Sequence, residues 1–145
     1  MNDKSNDKSK TRNFMMKPDE QPPFAHLMGM KILEVTPEKV TAEILVTNNL
    51  TNRNGVMHGG AVMALADNLG GTAAVANLPE GFITSTIESK TNFFAGIALG
   101  DTAHAECTPL HRGRTTSVWQ TRITRGDGKL AAIVTQTQIV MKKSG

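Results

Sequence analysis

Two hydrophobic rhythms divide this chain. From Ala61 to Ala76 it reads AVMALADNLGGTAAVA, apolar on nearly every side of a helix, with Asp67 as its only ionisable residue; such a segment belongs in a protein interior. The helix is expected over roughly His58 to Ala76, with Leu78-Pro79-Glu80-Gly81 ending it. The rest of the apolar content falls in shorter runs rich in Thr, Val, Ile, Phe and Ala. Lys31 to Val46 reads as two strands around a Thr36-Pro37-Glu38-Lys39 turn. Phe82 to Ala95, Thr102 to His111, Thr115 to Thr124 and Leu130 to Met141 follow as four more, joined at Gly96 to Gly100, Arg112-Gly113-Arg114 and Gly126-Asp127-Gly128. Phe24 to Met30 suggests a helical turn, and residues 48–57 a polar loop. A sheet must cover its apolar face, and one long helix is available to do so. The expected fold is therefore α+β, a six-stranded antiparallel sheet wrapped around a central helix.

Residues 1–23 are strongly polar, repeat an Asn-Asp-Lys-Ser theme and end in two prolines, so a flexible tail is expected there, followed by one domain over residues 24–142. The net charge of +3 is weak: the tail holds five Lys and Arg against four Asp and Glu, leaving eleven against nine elsewhere. With no Tyr, one Trp and five Phe as well, neither a basic footprint nor a stacking platform for nucleic acid is present. Cys107 is alone, which excludes an intramolecular disulfide and reads as a buried apolar thiol. That reading and the absence of a charged-then-apolar leader pattern suggest a cytoplasmic location. Asp67, Asn68, Gly70 and Gly71 interrupt the apolar run, so no membrane association is expected.

The chemistry concentrates in Asn52-Arg-Asn-Gly-Val-Met-His58-Gly59-Gly60 and the helix behind it. A carboxylate on an apolar helix is costly to bury unless it is paired, hydrogen-bonded or used. Two glycines at the helix start let a ligand approach bare backbone, where the first amides lack intrahelical partners. Gly59 and Asp67 are eight residues apart, which is about 12 Å of helix rise. They cannot touch one carbonyl from a single helix, whereas two antiparallel copies would bring Asp67 of each beside Gly59 of the other.

Those residues resemble the hotdog-fold acyl-coenzyme A thioesterases of the phenylacetate-degradation type. The likeness covers about residues 24–142 and rests on Asn52, the His58-Gly59-Gly60 start, Leu65-Ala66-Asp67 on the helix and a later Leu99-Gly100-Asp101 turn. It implies that Asp67 attacks the thioester carbonyl or activates a water, and that the Gly59 amide binds the carbonyl oxygen from the opposite subunit of a homodimer, commonly paired into a tetramer. Asn52 would hold the water or the thioester. His58 would organise the loop and helix start, and Thr86, with Ser85 as the neighbouring alternative, would orient water. No cofactor is implied, coenzyme A being part of the substrate.

Substrate contacts are expected from Gly60, Met63, Leu69, Phe93 and Phe94 around the acyl group, a lining compatible with aromatic, medium-chain or branched acids. Arg112 and Arg114 on a hairpin turn read as solvated charge or as ligands of coenzyme A phosphates, with Lys90 and Arg53 as other candidates. His26, His104 and His111 read as structural or exposed, and no metal site is expected, since His104 with Glu106 is too few ligands. Two further functions fit the same residues less well. A hotdog dehydratase or hydratase would need a His and an acid around the acyl chain, and His58 precedes the helix rather than pairing with Asp67. A non-catalytic acyl-coenzyme A sensor would not need Asp67.

Overall fold

The computed structural model of the 145-residue chain describes residues 20–145. In chain order the elements are α1 (Pro23–Met28), β1 (Lys31–Val35), β2 (Val40–Leu45), a short 3-10 turn (Asn48–Leu50), α2 (Gly59–Ala76), β3 (Phe82–Phe93), β4 (Thr102–Arg112), β5 (Thr116–Thr124) and β6 (Leu130–Lys142). The strands form one antiparallel sheet in the order β1-β2-β4-β5-β6-β3. This is the expected hotdog fold.

Alternation along the strands builds the core. Ser117, Trp119, Thr121 and Ile123 of β5 point inward, as do Ala103, Ala105 and Cys107 of β4. Small side chains on β4 leave room for α2, whose Leu65, Ala66, Leu69 and Ala73 are fully buried against the sheet. Gly70 marks the tightest approach: a Cβ there would collide with the buried side-chain amide of Gln136 on β6. A glycine inside a helix costs about 1 kcal/mol relative to alanine, and this contact is its structural reason. Burial also governs Cys107, where removal from water pushes the thiol up to about 11 although a Thr121 hydrogen bond acts in the opposite sense.

The folded part starts earlier than the sequence suggests. Residues 1–19 of the expected tail lie outside the described residues, but Gln21 is buried and its Oε1 accepts from Asn68 Nδ2 at 3.0 Å. Pro23 opens α1, where its missing N–H has no helical partner to lose. Near the other sheet end, the Leu99-Gly100-Asp101 turn passes through a left-handed Gly100 at φ 86. Asp101 then accepts from the amides of Thr102 at 2.8 Å and Gly126 at 3.3 Å, tying the start of β4 to the β5–β6 turn.

Strand β3 departs from simple alternation. It is twelve residues long, lies at the sheet edge and is mostly exposed, including Ile83, Ile87 and Phe93. Its register with β6 runs Thr86↔Gln138 and then Glu88↔Thr137, so Ile87 is an extra residue. The bulge exchanges the two faces of the strand. Before it Thr84 and Thr86 face α2; after it the facing set includes Thr91, whose hydroxyl is buried, and Phe93. Among the described residues no helix is long and apolar enough to cross a membrane.

Candidate active site

His58 begins the site as the N-cap of α2. Its backbone is extended at φ -60 and ψ 136, and its Nδ1 accepts the Gly60 amide at 2.8 Å. A side-chain acceptor at this position satisfies one of the helix's unpartnered donors. The next amides, of Ala61 and Val62, go to the His58 carbonyl at 2.9 and 3.1 Å. That leaves the Gly59 N–H, which has no acceptor among the described residues. It carries the positive end of the helix dipole toward a cleft of about 410 Å³ lined by Asn52, Val56, Phe93, Phe94 and Ile97.

Asn52 sits at the rim of this cleft and turns the preceding loop. Its Oδ1 accepts from the amides of Asn54 at 2.9 Å and Val56 at 3.4 Å, so its carbonyl oxygen is engaged and its Nδ2 is the end left for a ligand. The Phe93 ring lies against Gly59, where a Cβ would be 3.3 Å from Phe93 Cζ. Any side chain at position 59 would therefore press on the cleft wall.

Asp67 lies eight residues further along α2, exposed, in a separate cleft of about 310 Å³. Thr72 and Val75 of α2, Thr84, Ser85 and Thr86 of β3, and Gln138 of β6 line it. Thr86 Oγ1 donates to Asp67 Oδ1 at 3.3 Å, whereas Ser85 only borders the cleft. The bulge at Ile87 makes this possible together with the Phe93 contact at Gly59. Thr86 and Phe93 are seven residues apart, an odd spacing that puts them on opposite faces of a regular strand.

The two clefts share no lining residue. The structure thus brings Gly59 together with Asn52, Phe93 and Phe94, and Asp67 with Thr86, but it does not join the two groups within one chain. Gly60 and His58 also face a third, more apolar cleft beside Phe24, Leu27 and Leu50. Met63 is 40% exposed on α2 midway between Gly59 and Asp67. Lys90 is exposed on β3 opposite Thr135.

Of the two arginines, Arg112 is committed within the chain. Its Nη1 donates to Glu38 Oε2 at 2.9 Å, the Pro37 carbonyl at 3.2 Å and Asn77 Oδ1 at 3.4 Å, beyond the C-terminus of α2. Arg114 is exposed on the β4–β5 turn. Gln138, which sequence reasoning missed, is buried at 1% exposure and donates to Thr86 at 2.7 Å. Its only signal was a polar side chain at an inward position of β6, following Ala132, Val134 and Gln136.

The chain is similar to known thioesterases in sequence and in fold. Residues 54–132 match the thioesterase superfamily. The 1,4-dihydroxy-2-naphthoyl-CoA hydrolase of Listeria monocytogenes is 31% identical over 117 residues, covering 80% of this chain and 94% of that protein. A mutant thioesterase from Pseudomonas aeruginosa superposes with a TM-score of 0.78 at 29% identity, covering 82% of this chain and 86% of the other. A Streptococcus mutans protein bound to acetyl-CoA gives 0.73 at 27% identity, covering 80% and 91%.

Proposed function

The chain belongs to the thioesterase superfamily and is a thioester hydrolase, and from that premise we propose that it cleaves acyl-coenzyme A in a site shared by two subunits, with Asp67 from one and the Gly59 amide from the other. The observation that carries this reading is the separation of the two groups. Both are accessible, each in its own cleft, about 12 Å apart along one helix. Gly59 supplies an N–H where the carbonyl oxygen becomes negative, and a prearranged backbone donor is effective there. Asp67 either takes a proton from an attacking water or adds to the carbonyl carbon itself. In both routes the C–S bond breaks and the thiolate leaves as coenzyme A after protonation; water addition gives the acid directly, whereas attack by Asp67 leaves the acyl group as an anhydride on its carboxylate, which a water then hydrolyses to the acid and free Asp67. Asn52 Nδ2 is suited to hold the water or the thioester beside Gly59.

The symmetry of the chain supports a homodimer. Pairing position 59 with 67 across an antiparallel helix pair centres the two-fold axis on Met63. β3 runs beside α2 in the opposite direction, with Thr86 at Asp67 and Phe93 at Gly59. Pairing 86 with 93 across two antiparallel β3 strands centres the axis between Ser89 and Lys90. The long unpaired edge of β3 is available for that pairing, and pairs of such dimers would give a tetramer. Met63, Phe93, Phe94 and Gly60 then lie where the acyl group enters.

A screen of acetyl-, hexanoyl- and benzoyl-coenzyme A, reading release of free thiol, tests the activity without added metal or cofactor. Hydrolysis of at least one ester is expected; tight binding of all three with no thiol release would favour a sensor instead. The phosphates are a separate matter. Replacing the exposed Arg114 by Ala is expected to raise KM for coenzyme A esters several-fold more than for pantetheine thioesters, which lack the nucleotide phosphates. Equal changes for the two substrate classes would place the phosphates elsewhere.

A further inference from the structure

We propose that Gln138 is a positioning residue for the Asp67 carboxylate, acting through the hydroxyl of Thr86. This inference rests on the role proposed for Asp67. Gln138 is 1% exposed; its Nε2 donates to Thr86 Oγ1 at 2.7 Å, and its Oε1, 3.2 Å from Thr84 Oγ1, shares that hydroxyl's single proton with a nearer carbonyl. Thr84 Oγ1 also reaches the Ile139 carbonyl at 2.8 Å, which anchors that hydroxyl to β6.

A threonine hydroxyl has one proton and two lone pairs. With one lone pair of Thr86 taken by the Gln138 amide, its proton is directed to Asp67 Oδ1, 3.3 Å away. The opposite amide orientation would present an oxygen to Thr86 and draw the proton away from Asp67. The chain from Thr84 through Gln138 and Thr86 to Asp67 therefore has a direction, and Gln138 sets it. The donated hydrogen bond favours the ionised carboxylate, the form needed for attack or proton abstraction. It also occupies Oδ1, leaving Oδ2 for the reaction.

The frame around this chain is stiff. Thr86 and Gln138 are register partners on adjacent strands, and the bulge one residue later keeps Thr86 turned toward α2. Asp67 is the only titratable group among the residues lining its cleft from α2, β3, β6 and the segment before α1.

The test compares Gln138→Met, Thr86→Val, the double variant and Asp67→Asn in the full-length protein, using the best substrate among acetyl-, hexanoyl- and benzoyl-coenzyme A. Gln138→Met is expected to lower kcat roughly tenfold, the scale of one hydrogen bond to a charged group, with KM changed less than twofold. Because Gln138 acts through Thr86, the double variant should be no slower than Thr86→Val alone. Unchanged kcat in folded Gln138→Met, a KM that rises as much as kcat falls, or losses that multiply in the double variant, would overturn the inference. If circular dichroism shows that Gln138→Met does not fold, Thr84→Val poses the same question by freeing the far end of the amide. It should lower kcat with KM little changed, with Thr84→Ser restoring kcat, and an unchanged kcat overturns the inference. An inactive Asp67→Asn with unaffected Gln138 and Thr84 variants removes only this proposal, whereas full turnover by Asp67→Asn removes the role of Asp67 itself.

Discussion

Asp67→Asn is expected to lower kcat for acyl-coenzyme A hydrolysis by roughly a hundredfold to ten-thousandfold, the range supplied by a positioned acid–base group, while KM changes little. The asymmetry follows from the side chain's surroundings. Asp67 is exposed on α2, and among the described residues its carboxylate accepts one side-chain hydrogen bond, from Thr86. Asparagine keeps the volume and an oxygen to accept that bond, but it has no negative charge with which to attack or to take a proton. Stability should change by about 0.5 kcal/mol or less, as for an exposed substitution away from the core. Turnover under saturating substrate, with a melting curve beside it, checks both halves. Near-native kcat would remove Asp67 from the chemistry.

The second large effect is a recovery. A Gly59→Val chain should be inactive, because a side chain there meets the Phe93 ring and closes the space beside the amide. An Asp67→Asn chain should be inactive for the reason above. In a heterodimer of the two, one shared site carries both defects and the other carries neither. Verified heterodimers should therefore recover up to about half the native activity per dimer by two-fold symmetry. If both groups instead acted within one chain, each site would keep one defect and the mixed dimer would stay inactive. The difference is measurable after subunit exchange of differently tagged chains.

Much of this arrangement was legible before any coordinates. The helix and the six strands are punctuated by Pro79, Gly81, Gly113 and the Gly126-Asp127-Gly128 turn, and local turn chemistry survives folding. The separation of Gly59 from Asp67 could be read from helix rise alone. Strand order could not, because β3 returns to the sheet edge beside β6, a pairing that depends on covering α2 rather than on local pattern. The bulge at Ile87 was equally hidden, since strict alternation separates Thr86 from Phe93, and the choice between Ser85 and Thr86 hung on the loop at Leu78 to Gly81, which leaves the register of the strand open by one residue. Gln138 lies 71 positions beyond Asp67 and meets it only through a cross-strand neighbour. The early start of the fold at Gln21 escaped because a polar residue beside two prolines looks like tail, although its amide is buried against Asn68.

The state of Cys107 makes the protein its own control in a colorimetric experiment. It is the only cysteine of the chain, fully buried and held as a neutral thiol by its surroundings. Thiol reagents attack the thiolate, so an aromatic disulfide dye added to native enzyme will colour with released coenzyme A and leave the protein unlabelled. Unfolding abolishes that protection. A slow variant that is still folded gives a flat baseline before substrate is added, whereas a collapsed one consumes one equivalent of dye per chain at once, so a single cuvette distinguishes lost chemistry from lost structure.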